Sequence, residues 1–138
     1  MIECLFCSMV AKKIPVEIIY EDETTLSFLD VNPLAQGHAL VIPKMHAETV
    51  LELSEKEVHT LFSAVKEVTR KIQGGLHPDG FTIGINHGKK AGQAIDHMHV
   101  HIIPRFEGDG GTSMHGVVHN PPEEDLQKTA ERIRIKHS

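Results

Sequence analysis

The sequence has 138 residues, of which 40% are hydrophobic and 24% are charged. That length fits one domain, and that composition is typical of a folded globular protein rather than a disordered one. A formal net charge of −5 gives no electrostatic reason to expect binding to nucleic acid, and every apolar run is far shorter than the roughly 20 residues that span a bilayer.

The start of the chain and its cysteines predict a cytoplasmic protein. Met1-Ile2-Glu3-Cys4 has no basic stretch leading into an apolar segment, so we expect no secretion signal. Two cysteines cannot form a disulfide framework, and the cytoplasm would keep them reduced. The unusual count is 11 histidines, and function is therefore sought among them.

The N-terminal part predicts one short helix and three strands. The helix lies within residues 4–13 and stops before Ile14-Pro15, because the residue before a proline is pushed out of the helical region. Strands over 16–21 and 24–29 are joined by a turn at Glu21-Asp22-Glu23. Residues 30–37 form a loop, and 38–42 form a central strand that Pro43 ends.

The middle of the chain predicts one long helix, from Ser54 to about residue 73. Ser54 and Glu57 form a capping box, and Gly74-Gly75 is expected to end the helix. Its apolar stripe has helical spacing and comprises Val58, Leu61, Phe62, Val65, Val68 and Ile72.

Two further strands, over 81–86 and 97–104, precede a C-terminal helix. That helix is predicted to open at Asn120-Pro121-Pro122-Glu123, with acids in its first turn and with Arg132, Arg134 and Lys136 near its end. The pattern indicates an α+β protein with a mostly antiparallel five-stranded sheet, one long helix, a short N-terminal helix and a C-terminal helix. We expect a single domain over 1–138, with a core of about 4–105 and a tail and helix over 106–138.

The most informative segment contains His97, His99 and His101. On a strand these imidazoles share one face, while Met98, Val100 and Ile102 point the other way, into the core. The outer two histidines would have Cα atoms about 13 Å apart, which argues against one metal ion bound by all three. The spacing favours a division of labour among one metal ligand, one nucleophile and one polar partner.

A glycine-rich loop, Asn86-His87-Gly88-Lys89-Lys90-Ala91-Gly92-Gln93, leads into this segment. Glycines let backbone N–H groups approach an anion, and Asn86 and Gln93 offer neutral donors to phosphate oxygens.

Gly92-Gln93 followed by His97-x-His99-x-His101 and two apolar residues resembles the signature of the histidine triad family of nucleotide hydrolases and transferases. Tyr20-Glu21-Asp22, Phe28-Leu29-Asp30, the segment 37–44 and Asn86 are similar to that family in order and spacing. The resemblance spans about residues 4–105. It implies the histidine triad fold and attack on the α-phosphorus of a purine nucleotide, giving a nucleotidyl-histidine that water hydrolyses.

The resemblance also implies roles for individual residues. His99 would be the nucleophile, held in one tautomer by a backbone carbonyl near Nδ1. His101, helped by His38, would bind the phosphate. Gln93 and Asn86 would stabilise its charge, and Asp30 would accept the ribose hydroxyls. The apolar positions around the base, each of which could equally be plain core, are Leu5, Phe6, Met9, Phe28 and Val31.

One position departs from the family pattern. Many relatives carry Ser or Thr after the glutamine, where the hydroxyl assists the leaving group, but here the residue is Ala94. Either turnover is slower, or water or the leaving group itself supplies the proton.

Cys4-x-x-Cys7 is compatible with a zinc ligand pair, a redox pair or coincidence. A redox pair would be expected beside a βαβ unit, and none is evident. Zinc needs two more ligands, for which His46 and His97 are candidates, and some members of the family resemble this sequence in having such a set. The resemblance implies a structural zinc, and the alternative is a reduced, metal-free pair packed as small apolar residues. His115 and His119, in the tail, are expected to be solvated.

Three functions follow from these residues. The leading one is a nucleotidyl hydrolase that removes an amine or another leaving group from the α-phosphate of a purine nucleotide. Cleavage of dinucleoside polyphosphates is the second, and a non-catalytic, zinc-stapled nucleotide-binding module is the third. Members of the family pair through the long helix and the strand near 81–86, so a homodimer is expected.

Overall fold

The computed structural model describes residues 3–135, in which five strands form one antiparallel sheet. The strands are β1 (Ile18–Glu21), β2 (Thr25–Leu29), β3 (Ala39–Pro43), β4 (Gly80–Gly84) and β5 (Val100–Arg105), arranged in the order β1-β2-β3-β5-β4. The helices are α1 (Leu5–Val10), α2 (Glu55–Leu76) and α3 (Leu126–Arg134). The predicted α+β class, sheet and three helices are confirmed.

Alternation along the strands gives the sheet two buried faces. One face packs against α2, and its buried residues include Ala39, Val41, Met98, Val100 and Ile102. The other packs against α1, and its buried residues are Phe6, Met9, Leu26, Phe28, Leu40 and Ile42. His101 pairs with Leu40 across β3 and β5, so it lies on the α1 face.

The capping box of α2 is present, but the predicted end of this helix is wrong. Ser54 Oγ accepts from the N–H of Glu57 (3.2 Å), and Glu57 Oε1 accepts from the N–H of Ser54 (3.2 Å). The helix runs through both glycines to Leu76, which packs against the core, and His77 then adopts the left-handed conformation that ends it (φ 51°). Packing of Leu76 thus outweighs the roughly 1 kcal/mol that each internal glycine costs.

The last strand begins later than predicted, at Val100 rather than His97. Its neighbour β3 ends at Pro43, which has no N–H to continue the ladder. Residues 97–99 therefore lie beyond the paired region, where the N–H of Met98 donates to the carbonyl of Ala47 (2.6 Å).

The C-terminal helix also begins later than predicted and has no acid in its first turn. Asp125 is its N-cap, because the Asp125 carboxylate accepts from the N–H of Lys128 (2.9 Å). Arg132 and Arg134 lie in its last turn as predicted, while Lys136 lies outside the described residues. Over residues 3–135, the structure has no helix with the length and apolar character needed to cross a bilayer.

Candidate active site and metal centre

A cavity of about 320 Å³ opens on the α1 face of the sheet, beside the histidines. Its lining includes these residues that were predicted around a nucleotide: Leu5, Phe6, Met9, Phe28, Asp30, Val31, Asn86, His99 and His101. Ala94 also lines it, whereas His38 and Gln93 do not. The lining suits a ligand that carries a flat apolar ring, hydroxyls and an anionic group.

His99 is held in a single tautomer. Its imidazole is buried (6% exposed), and Nδ1 lies 2.7 Å from the carbonyl oxygen of His97. A carbonyl oxygen can only accept, so Nδ1 carries the proton and Nε2 keeps its lone pair. The ring of Phe6 packs edge-on against it, with ring centroids 5.2 Å apart. The carbonyl expected from the resemblance is present, and it prepares Nε2 to act as a nucleophile.

A chain of hydrogen bonds fixes the opposite tautomer in His101. The N–H of Leu34 donates to His38 Nδ1 (3.1 Å), so the proton of His38 sits on Nε2. That Nε2 donates to His101 Nδ1 (3.0 Å), which leaves the proton of His101 on its own Nε2. Asp30 Oδ2 stands 3.6 Å from His38 Nε2, close enough for electrostatic attraction. His101 therefore presents an N–H donor beside the lone pair of His99.

The pKa of His101 predicts a loss of stability in acid. Burial, with the neighbouring His99 and His38, lowers this pKa from 6.5 to about 4. The unfolded chain takes up the proton near pH 6.5 and the folded protein only near pH 4, so the free energy of unfolding should fall as the pH falls through that window. The loss attributable to this residue is at most about 3 kcal/mol.

Urea unfolding of the wild-type protein and of His101→Gln, measured between about pH 7 and pH 4, checks this expectation. The variant should lose less stability than the wild type across the window. Identical losses in the two proteins would contradict the assignment.

Gln93 holds the glycine-rich loop together. Its Oε1 accepts from the N–H of Gly88 (2.8 Å), and its Nε2 donates to the carbonyls of Glu48 (2.7 Å) and Ile95 (3.1 Å). Both Nε2 hydrogens are thus engaged within the protein. The amide that the resemblance directs to the phosphate here braces the loop that carries Asn86.

Four predicted metal ligands come together at the start of α1. The Sγ atoms of Cys4 and Cys7 and the Nδ1 atoms of His46 and His97 all lie within 4.8 Å of one another. Cys7 Sγ is 3.3 Å from His46 Nδ1 and 3.6 Å from His97 Nδ1, and Cys4 Sγ is 3.4 Å from His97 Nδ1. The segments that supply them are α1, the stretch after β3 and the stretch before β5.

These residues fit a tetrahedral zinc ion. Zinc–ligand bonds of about 2.0–2.3 Å place neighbouring ligand atoms of a tetrahedral site about 3.3–3.8 Å apart. The three sulfur–nitrogen distances measured here, 3.3, 3.4 and 3.6 Å, fall within that range. His97 Nε2 donates to the carbonyl of Pro43 (2.8 Å), which leaves Nδ1 unprotonated and aimed at the cysteines. Without an ion, burial and the neighbouring Cys4 raise the pKa of the Cys7 thiol to about 11. A bound cation would reverse that shift by stabilising the thiolate.

The sequence did not indicate which backbone groups orient the histidines. The carbonyls of Pro43 and His97 and the N–H of Leu34 set three tautomers. Every residue has such groups, so residue type carries no signal for them. His115 and His119 are exposed, as predicted.

The sequence of this chain is similar to those of several known proteins. A family model described as the HIT domain matches residues 11–108. An uncharacterized HIT-like protein of Methanocaldococcus jannaschii is 42% identical over 131 residues, which are 95% of this chain and 98% of that protein. The adenosine 5'-monophosphoramidase of Schizosaccharomyces pombe is 35% identical over 133 residues, 96% of this chain and 97% of that enzyme. An adenylylsulfatase of Arabidopsis thaliana is 40% identical over 107 residues, 78% of this chain and 54% of that protein.

Solved structures share the fold. A HIT family protein from Bacillus subtilis superposes with a TM-score of 0.86 and 38% identity, covering 99% of this chain and 100% of that one. A zinc-bound histidine triad family protein from Mycobacterium smegmatis has a TM-score of 0.74 and 39% identity, covering 79% of each chain.

Proposed function

The chain belongs to the HIT domain family, and on that premise we propose that it is a nucleotidyl hydrolase acting on purine nucleotides. It cleaves the bond between the α-phosphate and an amine or another leaving group. The observation that carries this proposal is the His99 imidazole, whose Nε2 lone pair is free in a cavity that also holds a carboxylate and a second imidazole. The similarity to an adenosine 5'-monophosphoramidase favours an amine as the leaving group.

The reaction takes two displacements at phosphorus. His99 Nε2 attacks the α-phosphorus, and the bond from phosphorus to the leaving amine breaks. Water then attacks the same phosphorus and gives up a proton to solvent, the bond to Nε2 breaks, and the nucleoside monophosphate leaves. Ala94 has no hydroxyl, so water supplies the proton that the departing amine takes up.

The remaining cavity residues hold the nucleotide. The Nε2–H of His101, set by His38, donates to a phosphate oxygen, and Asn86 adds a neutral donor. Asp30 accepts the two ribose hydroxyls. The base lies among the apolar side chains Phe6, Phe28 and Val31. Gln93 supports catalysis through the loop that it braces.

Cys4, Cys7, His46 and His97 hold a structural zinc ion. The ion would clip α1 to the segment that carries His99, which leaves His99 free for chemistry. The zinc-bound relative supports this assignment. A reduced thiol pair also fits a cytoplasmic location.

A substrate panel tests the proposed function. We expect kcat/KM for an unsubstituted adenosine 5'-phosphoramidate to exceed that for a diadenosine polyphosphate by about tenfold or more, because the first needs only the cavity described here. Release of adenosine monophosphate is measured by chromatography with metal-replete protein. The reverse order would favour the dinucleoside polyphosphate hydrolase, and binding of adenosine monophosphate without any turnover would favour the non-catalytic module.

We also propose a homodimer. Phe62 of α2 is 42% exposed, and Ile83 and Ile85, in and just after the edge strand β4, are 39% and 37% exposed. An exposed strand edge beside apolar side chains is a surface that a second copy can cover. Sedimentation at micromolar concentration should give twice the chain mass, and a monomer would contradict the expectation.

A further inference from the structure

The two cysteines lie where solvent reaches them, beside the segment that carries His99. Cys4 and Cys7 are both half-buried, and His46, next to Cys7 in space, is exposed. A cavity of about 370 Å³ opens beside them and is lined in part by Cys4, His46 and Glu48. A molecule as small as hydrogen peroxide therefore has access to the sulfur atoms from solvent.

These two sulfur atoms can bond to each other. They lie within 4.8 Å of one another in the first turn of α1, where the N–H of Cys7 donates to Cys4 Sγ (3.4 Å). Rotation of the side chains brings sulfur atoms at that separation to the bonding distance of about 2.0 Å. Zinc holds its cysteine ligands as thiolates, which is the form that peroxides oxidise. The zinc site therefore presents two neighbouring thiolates to an oxidant.

A residue between the cysteines contacts the nucleophile. Phe6 lies between Cys4 and Cys7 in the sequence, and its side chain is buried (4% exposed). Its ring packs edge-on against the imidazoles of His99 and His97, with centroids 5.2 and 5.8 Å away. A change in the path of the chain between the cysteines therefore moves a ring that packs directly on His99.

His97 links the metal site to the nucleophile by a second route. Its Nδ1 lies 3.4 Å from Cys4 Sγ, and its carbonyl oxygen accepts the 2.7 Å hydrogen bond from His99 Nδ1. The side chain of His97 thus belongs to the zinc site, while its backbone sets the tautomer of His99. Loss of the metal would leave the hydrogen bond from His97 Nε2 to the carbonyl of Pro43 to hold this ring.

We propose that Cys4 and Cys7 are a reversible oxidation site that switches the hydrolase off. This inference rests on the proposed hydrolysis and zinc site. Hydrogen peroxide takes two electrons from the two thiolates: a bond forms between the Sγ atoms, the O–O bond breaks, and two protons from solvent complete two water molecules. The disulfide no longer coordinates zinc, so the cysteines release the ion. Phe6 and the carbonyl of His97 then lose the positions that prepare His99 for attack.

Treatment of the zinc-loaded protein with hydrogen peroxide tests the switch. A colorimetric chelator follows zinc release, intact mass reports the disulfide, and release of adenosine monophosphate from adenosine 5'-phosphoramidate gives kcat. We expect release of about one zinc ion per chain, loss of the mass of two hydrogens, and a fall in kcat of about tenfold or more. Dithiothreitol and zinc together should restore kcat, because a thiol reduces a disulfide but not methionine sulfoxide.

Two variants assign the effect to the cysteine pair. Cys7→His keeps a nitrogen ligand for zinc but cannot form the disulfide, so its kcat after treatment should stay within about twofold of its own untreated value. Met114→Leu removes a methionine that is 57% exposed, and should lose activity as the wild type does. If Cys7→His binds no zinc, recovery of the wild-type protein with dithiothreitol and zinc makes the same assignment.

The outcomes separate the switch from the reaction. A disulfide and released zinc with unchanged kcat overturn the switch and leave the hydrolysis standing. A protein that keeps its zinc and thiols at peroxide concentrations that oxidise Met114 has the same consequence. No turnover by the untreated protein overturns the hydrolysis, and the histidine ¹H–¹⁵N spectrum then decides the switch. The Nδ1–H form of His99 should be lost on oxidation and regained on reduction, and a spectrum that oxidation leaves unchanged rejects the switch.

Discussion

Replacing His99 with alanine is expected to lower kcat/KM for an adenosine phosphoramidate by about 10⁴-fold or more. The variant loses the Nε2 lone pair, and no other imidazole among residues 3–135 stands in the cavity with its free nitrogen prepared in this way. His101 cannot substitute, because the hydrogen bond from His38 places its proton on Nε2. Steady-state release of adenosine monophosphate, with both proteins at the same zinc content, measures the loss.

Two controls separate chemistry from folding in this experiment. His115→Ala changes an exposed histidine of the tail and should keep wild-type turnover. His99→Ala should still bind adenosine monophosphate, since the acid and apolar wall of the cavity are unchanged. Acid quenching of the wild-type reaction should yield a nucleotidylated peptide that contains His99. Full activity of His99→Ala, or an adduct on another residue, would refute the mechanism.

Cys7→Ser is expected to lower the zinc content from about one ion per chain to almost none, and to lower Tm by about 8 °C or more. Structural zinc adds its binding free energy to folding, and here the ligands come from three segments that are 39 and 51 positions apart in sequence (46 − 7 and 97 − 46). Among residues 3–135, no disulfide and no ion pair joins α1 to the segment before β5, so the ion would be the strongest link between them. Metal analysis and thermal unfolding make the measurement.

His59→Ala, an exposed histidine on α2, is the matched control and should keep both zinc and Tm. A chelator should lower the Tm of the wild-type protein toward that of Cys7→Ser and leave the variant unchanged. A wild-type protein that is purified without zinc and is equally stable with and without added zinc would favour the metal-free thiol pair.

The segment from His97 to Pro104 shows how much of the structure the residue pattern can predict. Period-two alternation correctly predicts that Met98, Val100 and Ile102 are buried, although only residues from Val100 onward belong to β5. In the structure these three side chains pack against α2. The expected Cα separation of His97 and His101 argued for a division of labour. In the structure His97 joins the cysteines, His99 faces the cavity and His101 pairs with His38.

Element ends were predicted less well, because they depend on neighbours that are distant in sequence. Gly74-Gly75 looked like a helix terminus, but Leu76 finds core to pack against and the helix continues. The C-terminal helix begins only after its N-cap Asp125, although the prolines at 121 and 122 predicted an earlier start. Local propensities of about 1 kcal/mol are easily outweighed by such contacts.

Read alone, the chain determined the types and spacing of its chemical groups: two cysteines three apart, three alternating histidines, and a glycine-rich loop before them. Those features depend only on local geometry and side-chain chemistry, so residue types and their spacing are enough to identify them. Tertiary structure alone decided which nitrogen of His38, His97 and His101 carries a proton, because their partners are the backbone of Leu34 and Pro43 and a histidine 63 positions away. It also decided where the tail lies after β5, because the ion pair between Arg105 and Asp109 anchors the returning chain.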